Sequence, residues 1–109
     1  MIQRLVEAYK LWYEIVPNFP KTSRYTLGAK IDALFLDSIE CVFLYSSTTP
    51  SKRIIKIRNA ATKMDLLKFL LQISWELKTL DNKRYIVLSE KLEEIGRMLG
   101  GWLKQLSLK

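Results

Sequence analysis

The chain contains no histidine and a single cysteine, Cys41. Without histidine, the Glu-x-x-His sites of di-iron helical bundles cannot be built. One thiol and no imidazole also exclude a Cys/His zinc site within one chain, and any Ser-His or Cys-His nucleophile. Three prolines and four glycines among 109 residues leave long stretches free of helix breakers. Charge interrupts every apolar run well short of ~18 residues, so no segment is expected to span a membrane. Residues Met1–Glu7 hold no uninterrupted apolar run and no small-residue cleavage site, which argues against a signal peptide. Cys41 sits in an apolar helical stretch, so a buried free thiol in a reducing, cytoplasmic setting is expected.

The acids present offer little chemistry. Asp37 and Glu40, three apart with Asp32 nearby, are the best carboxylate grouping. Exposed helical acids of this kind ordinarily stay in water or pair with Lys or Arg. The run from Gly96 to Gly101 lies inside a helical pattern and follows no strand, so it is not a phosphate loop. Neither an enzyme, nor a metal site, nor a cofactor is expected.

What is present is apolar periodicity and localised positive charge. Hydrophobic residues make up 49% of the chain, enough for a single packed domain over residues 1–109. Ile2, Leu5, Val6, Tyr9, Trp12, Tyr13 and Val16 recur at helical spacing and predict a first helix from about Ile2 to Val16. Leu11 and Ile15 fall off that stripe. Pro17 and Pro20 close the segment. A second helix, capped by Thr22 or Ser23, carries Leu27, Ile31, Leu34, Phe35, Ile39, Val42 and Phe43 inward. Thr49 as N-cap and Pro50 at the first helical position open a third helix, continuous to about Leu80. Asp81 caps a fourth, with Tyr85, Leu88, Leu92, Ile95, Leu99, Trp102, Leu103 and Leu106 inward. Gly96 and Gly100, four apart, fit close approach of another helix or a frayed end. The expected fold is all-α, an antiparallel up-down-up-down four-helix bundle with short loops.

The third helix has two unlike halves. Ser51–Lys63 carries Lys52, Arg53, Lys56, Arg58 and Lys63 and no acid. Of the net charge of +7, residues 51–84 hold +6, with nine Lys/Arg against three acids. So local an excess suits a phosphate-binding surface, with a merely solubilising face as the plain alternative. Lys52, Lys56 and Lys63, with Asn59, share one face, while Ile54, Ile57, Ala61 and Met64 face the core. Lys83, Arg84 and Arg24 complete the candidate nucleic-acid-binding set; Tyr25 and Tyr85 are the aromatics best placed to stack on bases, though a half-buried Tyr at a helix start is the simpler reading of each. In the second half, Leu66–Leu77, apolar residues point in almost every direction, more than one bundle can cover. Leu66, Phe69, Leu70, Ile73 and Leu77 are therefore expected at an oligomer interface.

Two segments, Phe19–Gly28 and Glu94–Lys104, resemble signature segments of a four-helix bundle family. Its members include proteins encoded in intervening sequences of bacterial large-subunit rRNA genes. They also include Avd, the accessory variability determinant of diversity-generating retroelements, which is the favoured branch. The resemblance spans essentially the whole chain, with Arg24, Tyr25 and Arg97 inside the matching segments. It implies a homopentameric barrel with a basic surface. For the Avd branch it implies binding to a reverse transcriptase and to RNA or DNA, in support of mutagenic copying into a variable gene. The alternative branch implies a structural RNA-binding bundle with no polymerase partner.

Overall fold

The computed structural model describes residues 1–107, and among them there is helix but no strand. Four long helices form the body: α1 (Ile2–Ile15), α2 (Ala29–Phe43), α3 (Pro50–Glu76) and α4 (Asn82–Ser107). Each packs on its neighbours in sequence, and α1 closes the ring against α4. Short connections make consecutive helices antiparallel, so the bundle runs up-down-up-down over 45 × 21 × 20 Å.

The seam of α1 is Leu5, Ala8, Trp12 and Ile15, spaced by three and four residues. The expected stripe was thus rotated by about one residue. Ile15 is core, whereas Tyr13 points outward and is 66% exposed, its hydroxyl favouring the wet side. Pro17 converts the helix end into a short 3-10 turn, Val16–Asn18, and Phe19 leaves it in extended conformation ahead of Pro20. Phe19 returns to the core, its ring edge-on to Trp12 at 5.4 Å. Trp12 also lies over Phe35 of α2, and its indole N–H donates to Asp32 at 3.2 Å.

Neither Thr22 nor Ser23 caps α2. Both lie inside a helical turn, Lys21–Ser23, that starts after Pro20. A π-helical turn, Arg24–Gly28, then joins it to α2. Gly28 is buried where this turn meets the end of α1. A Cβ there would sit 3.2 Å from a Val16 methyl and 3.4 Å from the Ser23 carbonyl, so the corner closes around a missing side chain. The core face of α2 is Ile31, Leu34, Phe35, Ser38 and Val42. Ser38 is accommodated by donating to the Leu34 carbonyl at 2.8 Å. Phe43, expected inside, is 71% exposed.

Pro50 occupies the first turn of α3, as its fixed φ and absent N–H favour. The Thr49 side chain makes no capping bond to the backbone. Ile57, Ala60, Met64, Leu67, Leu71 and Ser74 line the inner face. The helix stops at Glu76, short of Leu80, because Lys78 adopts a left-handed conformation with φ 64°. Amide donation from Thr79 and Leu80 to the Ser74 carbonyl closes the end, a C-cap usually built on glycine. Asp81 then caps α4, accepting from the Arg84 amide at 2.8 Å. Leu88, Leu92, Ile95 and Leu99 form its buried seam. Gly100 has nothing within 4 Å of a built Cβ, and Gly96 meets only the tip of Lys68, so neither is needed for close packing inside the protomer.

The helices differ in length. At 1.5 Å per residue α1 is about 21 Å long and α3 about 40 Å. Leu11 sits beside Arg84 and Val87, and Arg4 pairs with Glu94, so α1 flanks only the first half of α4.

Candidate nucleic-acid interface

Lys52, Lys56 and Lys63 are four and seven residues apart, which sets them in one row along α3. The row runs beside α2. Lys63 Nζ lies 3.8 Å from Asp37 Oδ2, and the charges of Lys56 and Lys63 both act on Cys41. Cys41 is part-buried rather than fully enclosed. Burial pushes its thiol above the ordinary value, against the opposing pull of the two ammonium groups.

The other expected cations are distributed elsewhere. Arg53, next to Lys52, is turned about 100° round the helix. Its guanidinium lies over the Tyr45 ring at 5.4 Å, and its Nε is buried without a partner. Tyr45 in turn packs on Trp102, with ring centroids 5.1 Å apart. Arg58, two residues past Lys56, faces the opposite side of α3 and is exposed. Arg24 serves the chain itself, donating to the Pro17 carbonyl at 2.8 Å and the Phe19 carbonyl at 3.1 Å. Lys83 and Arg84 stand at the start of α4, the length of α3 away from Lys52, and Arg84 pairs with Asp81 at 3.2 Å. Of the eight candidates, three form a row and five do not join it.

The outer face of α3 is mixed in its first half, where Arg58, Asn59 and Thr62 are exposed, and richer in exposed apolar residues from Leu66 on. Phe69 is 56% exposed and Leu77 61%, with Ile55 and Leu66 on the same side of the helix. Leu70 and Ile73 are half-buried at its edge. Ile55 was missed because the basic residues around it dominate the sequence pattern. Leu36 and Phe43 add exposed apolar surface on α2.

A family model described as bAvd-like matches residues 1–106. The chain belongs to the bAvd-like family. This agrees with the Avd side of the resemblance, and the match takes in both signature segments. No curated protein matches the chain.

In this bAvd-like chain the two signature segments have separate structural work. Phe19–Gly28 builds the α1–α2 corner through Phe19, Arg24 and Gly28. Glu94–Lys104 contributes Ile95 and Leu99 to the core and Glu94 to the ion pair with Arg4. Among the described residues no three His, Cys, Asp or Glu side chains cluster as metal ligands. Asp32 is engaged by Trp12, and Asp37 by Lys63. Among the described residues no helix is long and apolar enough to cross a membrane.

Of the two aromatics weighed for stacking, Tyr25 is 68% exposed rather than half-buried. Tyr85 already has a partner: its ring lies parallel to Trp75, 10° between planes and 5.2 Å between centroids. Trp75 borders a cavity of about 560 Å³ at the α3–α4 turn, with Glu76, Lys78, Leu80, Asp81 and Asn82. Sequence periodicity gave no sign of it, because it arises from how α3 ends.

Proposed function

We propose that the chain is a non-catalytic accessory subunit of a diversity-generating retroelement. In this reading it works in the cytoplasm, holds RNA or DNA by phosphate contacts, and docks with a reverse transcriptase. The family match over residues 1–106 is the observation that carries the accessory role. The row of Lys52, Lys56 and Lys63 supports the phosphate contacts: flexible ammonium groups bind backbone with little sequence preference. The exposed apolar residues on the second half of α3 support a homo-oligomer, formed through Leu66, Phe69, Leu70, Ile73 and Leu77, for which the family resemblance suggests a pentamer.

The test is the salt dependence of nucleic-acid binding. Three phosphate contacts contribute about −2.7 to the log–log slope on duplex DNA and about −2 on a single strand. Reversing Lys52, Lys56 and Lys63 to Glu removes at least that much of the slope while the helical signal is unchanged. An unaltered slope in the folded triple variant overturns the phosphate site. Co-purification with the reverse transcriptase encoded beside the gene tests the partner. Its absence, together with an enclosing rRNA gene, returns the chain to the structural branch.

A further inference from the structure

The cavity at the α3–α4 turn has the parts of a base-stacking site. Trp75 is 39% exposed and has one ring face covered by Tyr85. Tyr85 lines not this cavity but the adjoining groove with Lys68, Phe69 and Gln72, so the two rings border opposite spaces. The indole cannot swing freely, because its N–H donates to Asn82 Oδ1. The floor is equally fixed: Lys78 is held left-handed by the bonds that close α3 on the Ser74 and Trp75 carbonyls.

Charged groups of both signs border the cavity. Asp81 pairs with Arg84 and caps α4, whereas Glu76 accepts only from the neutral Gln72 amide at 3.1 Å and keeps its charge on the cavity wall. Lys78 on the cavity wall makes no ion pair among the described residues, nor does Lys83, which lines the neighbouring groove with Leu11 and Val87 across Asp81. A fixed indole face with one unpaired ammonium group on its wall and a second across Asp81 suits a planar base between phosphates, with Glu76 the one carboxylate there that lacks a cation. The space beside Trp75, about 560 Å³ and open to solvent, is large enough for one planar base.

We infer that this cavity takes one unpaired base of a single-stranded nucleic acid, stacked on Trp75, with the flanking phosphates on Lys78 and Lys83. This rests on the proposed nucleic-acid binding and adds a preference for unpaired strands that the lysine row alone does not supply. A base inside a duplex is already stacked on both faces and cannot enter.

The experiment uses the full chain with Trp102→Phe, which leaves Trp75 as the exposed tryptophan beside buried Trp12. An oligouridylate 12-mer at low salt quenches its fluorescence, and a blunt duplex of equal length does not. In the unmodified chain, Trp75→Leu weakens oligouridylate binding roughly five- to 150-fold with duplex binding unchanged, and Trp75→Phe restores most of the affinity. Three results overturn the site: no quenching by the single strand, equal loss on both forms, or unchanged oligouridylate affinity in folded Trp75→Leu. A sedimentation change in Trp75→Leu without a change in affinity would mark the cavity as a subunit contact instead. Quenching in the parent chain decides the matter if Trp75→Leu fails to fold. Duplex binding that depends on Lys52, Lys56 and Lys63, without single-strand preference, overturns the stacking site alone. Absence of binding to either form overturns the phosphate site with it.

Discussion

Lys63 Nζ faces Asp37 Oδ2 at 3.8 Å across the α2–α3 groove, so one member of the basic row is already partnered. Both side chains are partly in water, where such a pair is worth at most about 1 kcal/mol. Asp37 therefore costs the fold little and draws Lys63 away from a phosphate. Asp37→Asn should raise nucleic-acid affinity by up to about fivefold at low salt, as a charge pair of that strength allows. The melting free energy should change by less than about 1 kcal/mol. A fluorescence-anisotropy titration at two salt concentrations, beside a thermal melt, checks both.

The outer face of α3 predicts a change in mass. Phe69→Glu with Leu77→Glu places two charges on that face without touching the inner seam of Ile57, Met64, Leu67 and Leu71. Sedimentation should fall from an oligomer to a species near the 12.8 kDa chain mass, with helical circular dichroism retained. An unchanged sedimentation coefficient moves the subunit contact elsewhere.

Lys78 holds a conformation that costs an L-residue about 1 kcal/mol and a glycine almost nothing. Lys78→Gly should raise stability by about 0.5–1 kcal/mol in chemical denaturation, after allowing for the extra freedom of glycine in the unfolded chain. The same substitution removes one of the two phosphate contacts assigned to the turn. Greater stability with weaker single-strand binding is the combined expectation.

These residues also show what the sequence could convey. Pro50 and Asp81 mark helix starts by chemistry that acts locally, and both starts are where the pattern puts them. The seam of α1 was harder. Tyr13 and Ile15 both score as apolar, and only the packing of Trp12 against Phe19 and Phe35 decides which turns inward. The π turn at Arg24–Gly28 and the left-handed Lys78 have no periodic signature. Charge was legible as a count but not as a direction. Lys52 and Arg53 are adjacent in sequence, yet one joins the row and the other lies over Tyr45.

Alkaline pH should weaken the fold. Burial raises the Cys41 thiol above its ordinary value, and burial, followed by the nearby Asp32, raises the Tyr9 phenol. Both protonated forms are favoured in the folded state. Their contribution is complete below the unfolded-state values and is lost as pH rises through the folded ones. Melting temperature should fall from the ordinary thiol range upward, and Cys41→Ala should remove the first part of that fall. At neutral pH the thiol should react with iodoacetamide more slowly than in the denatured chain.

The short reach of α1 has a mechanical consequence. Past the start of α1 the last turns of α4 lean on α3 and on Tyr45 just after α2, and Trp102, Leu103 and Leu106 stay only half-buried. The molecule is a thick body with a thinner neck. Amide protons in the neck need break fewer apolar contacts to meet solvent, so opening starts there and the aromatic corner at Trp12 is the last to yield. Arg53, seated over Tyr45 in that neck, is anchored to the least durable part of the bundle. Lys63, four turns of α3 from the Pro50 end, is carried by a stretch that α2 and α4 both hold in place.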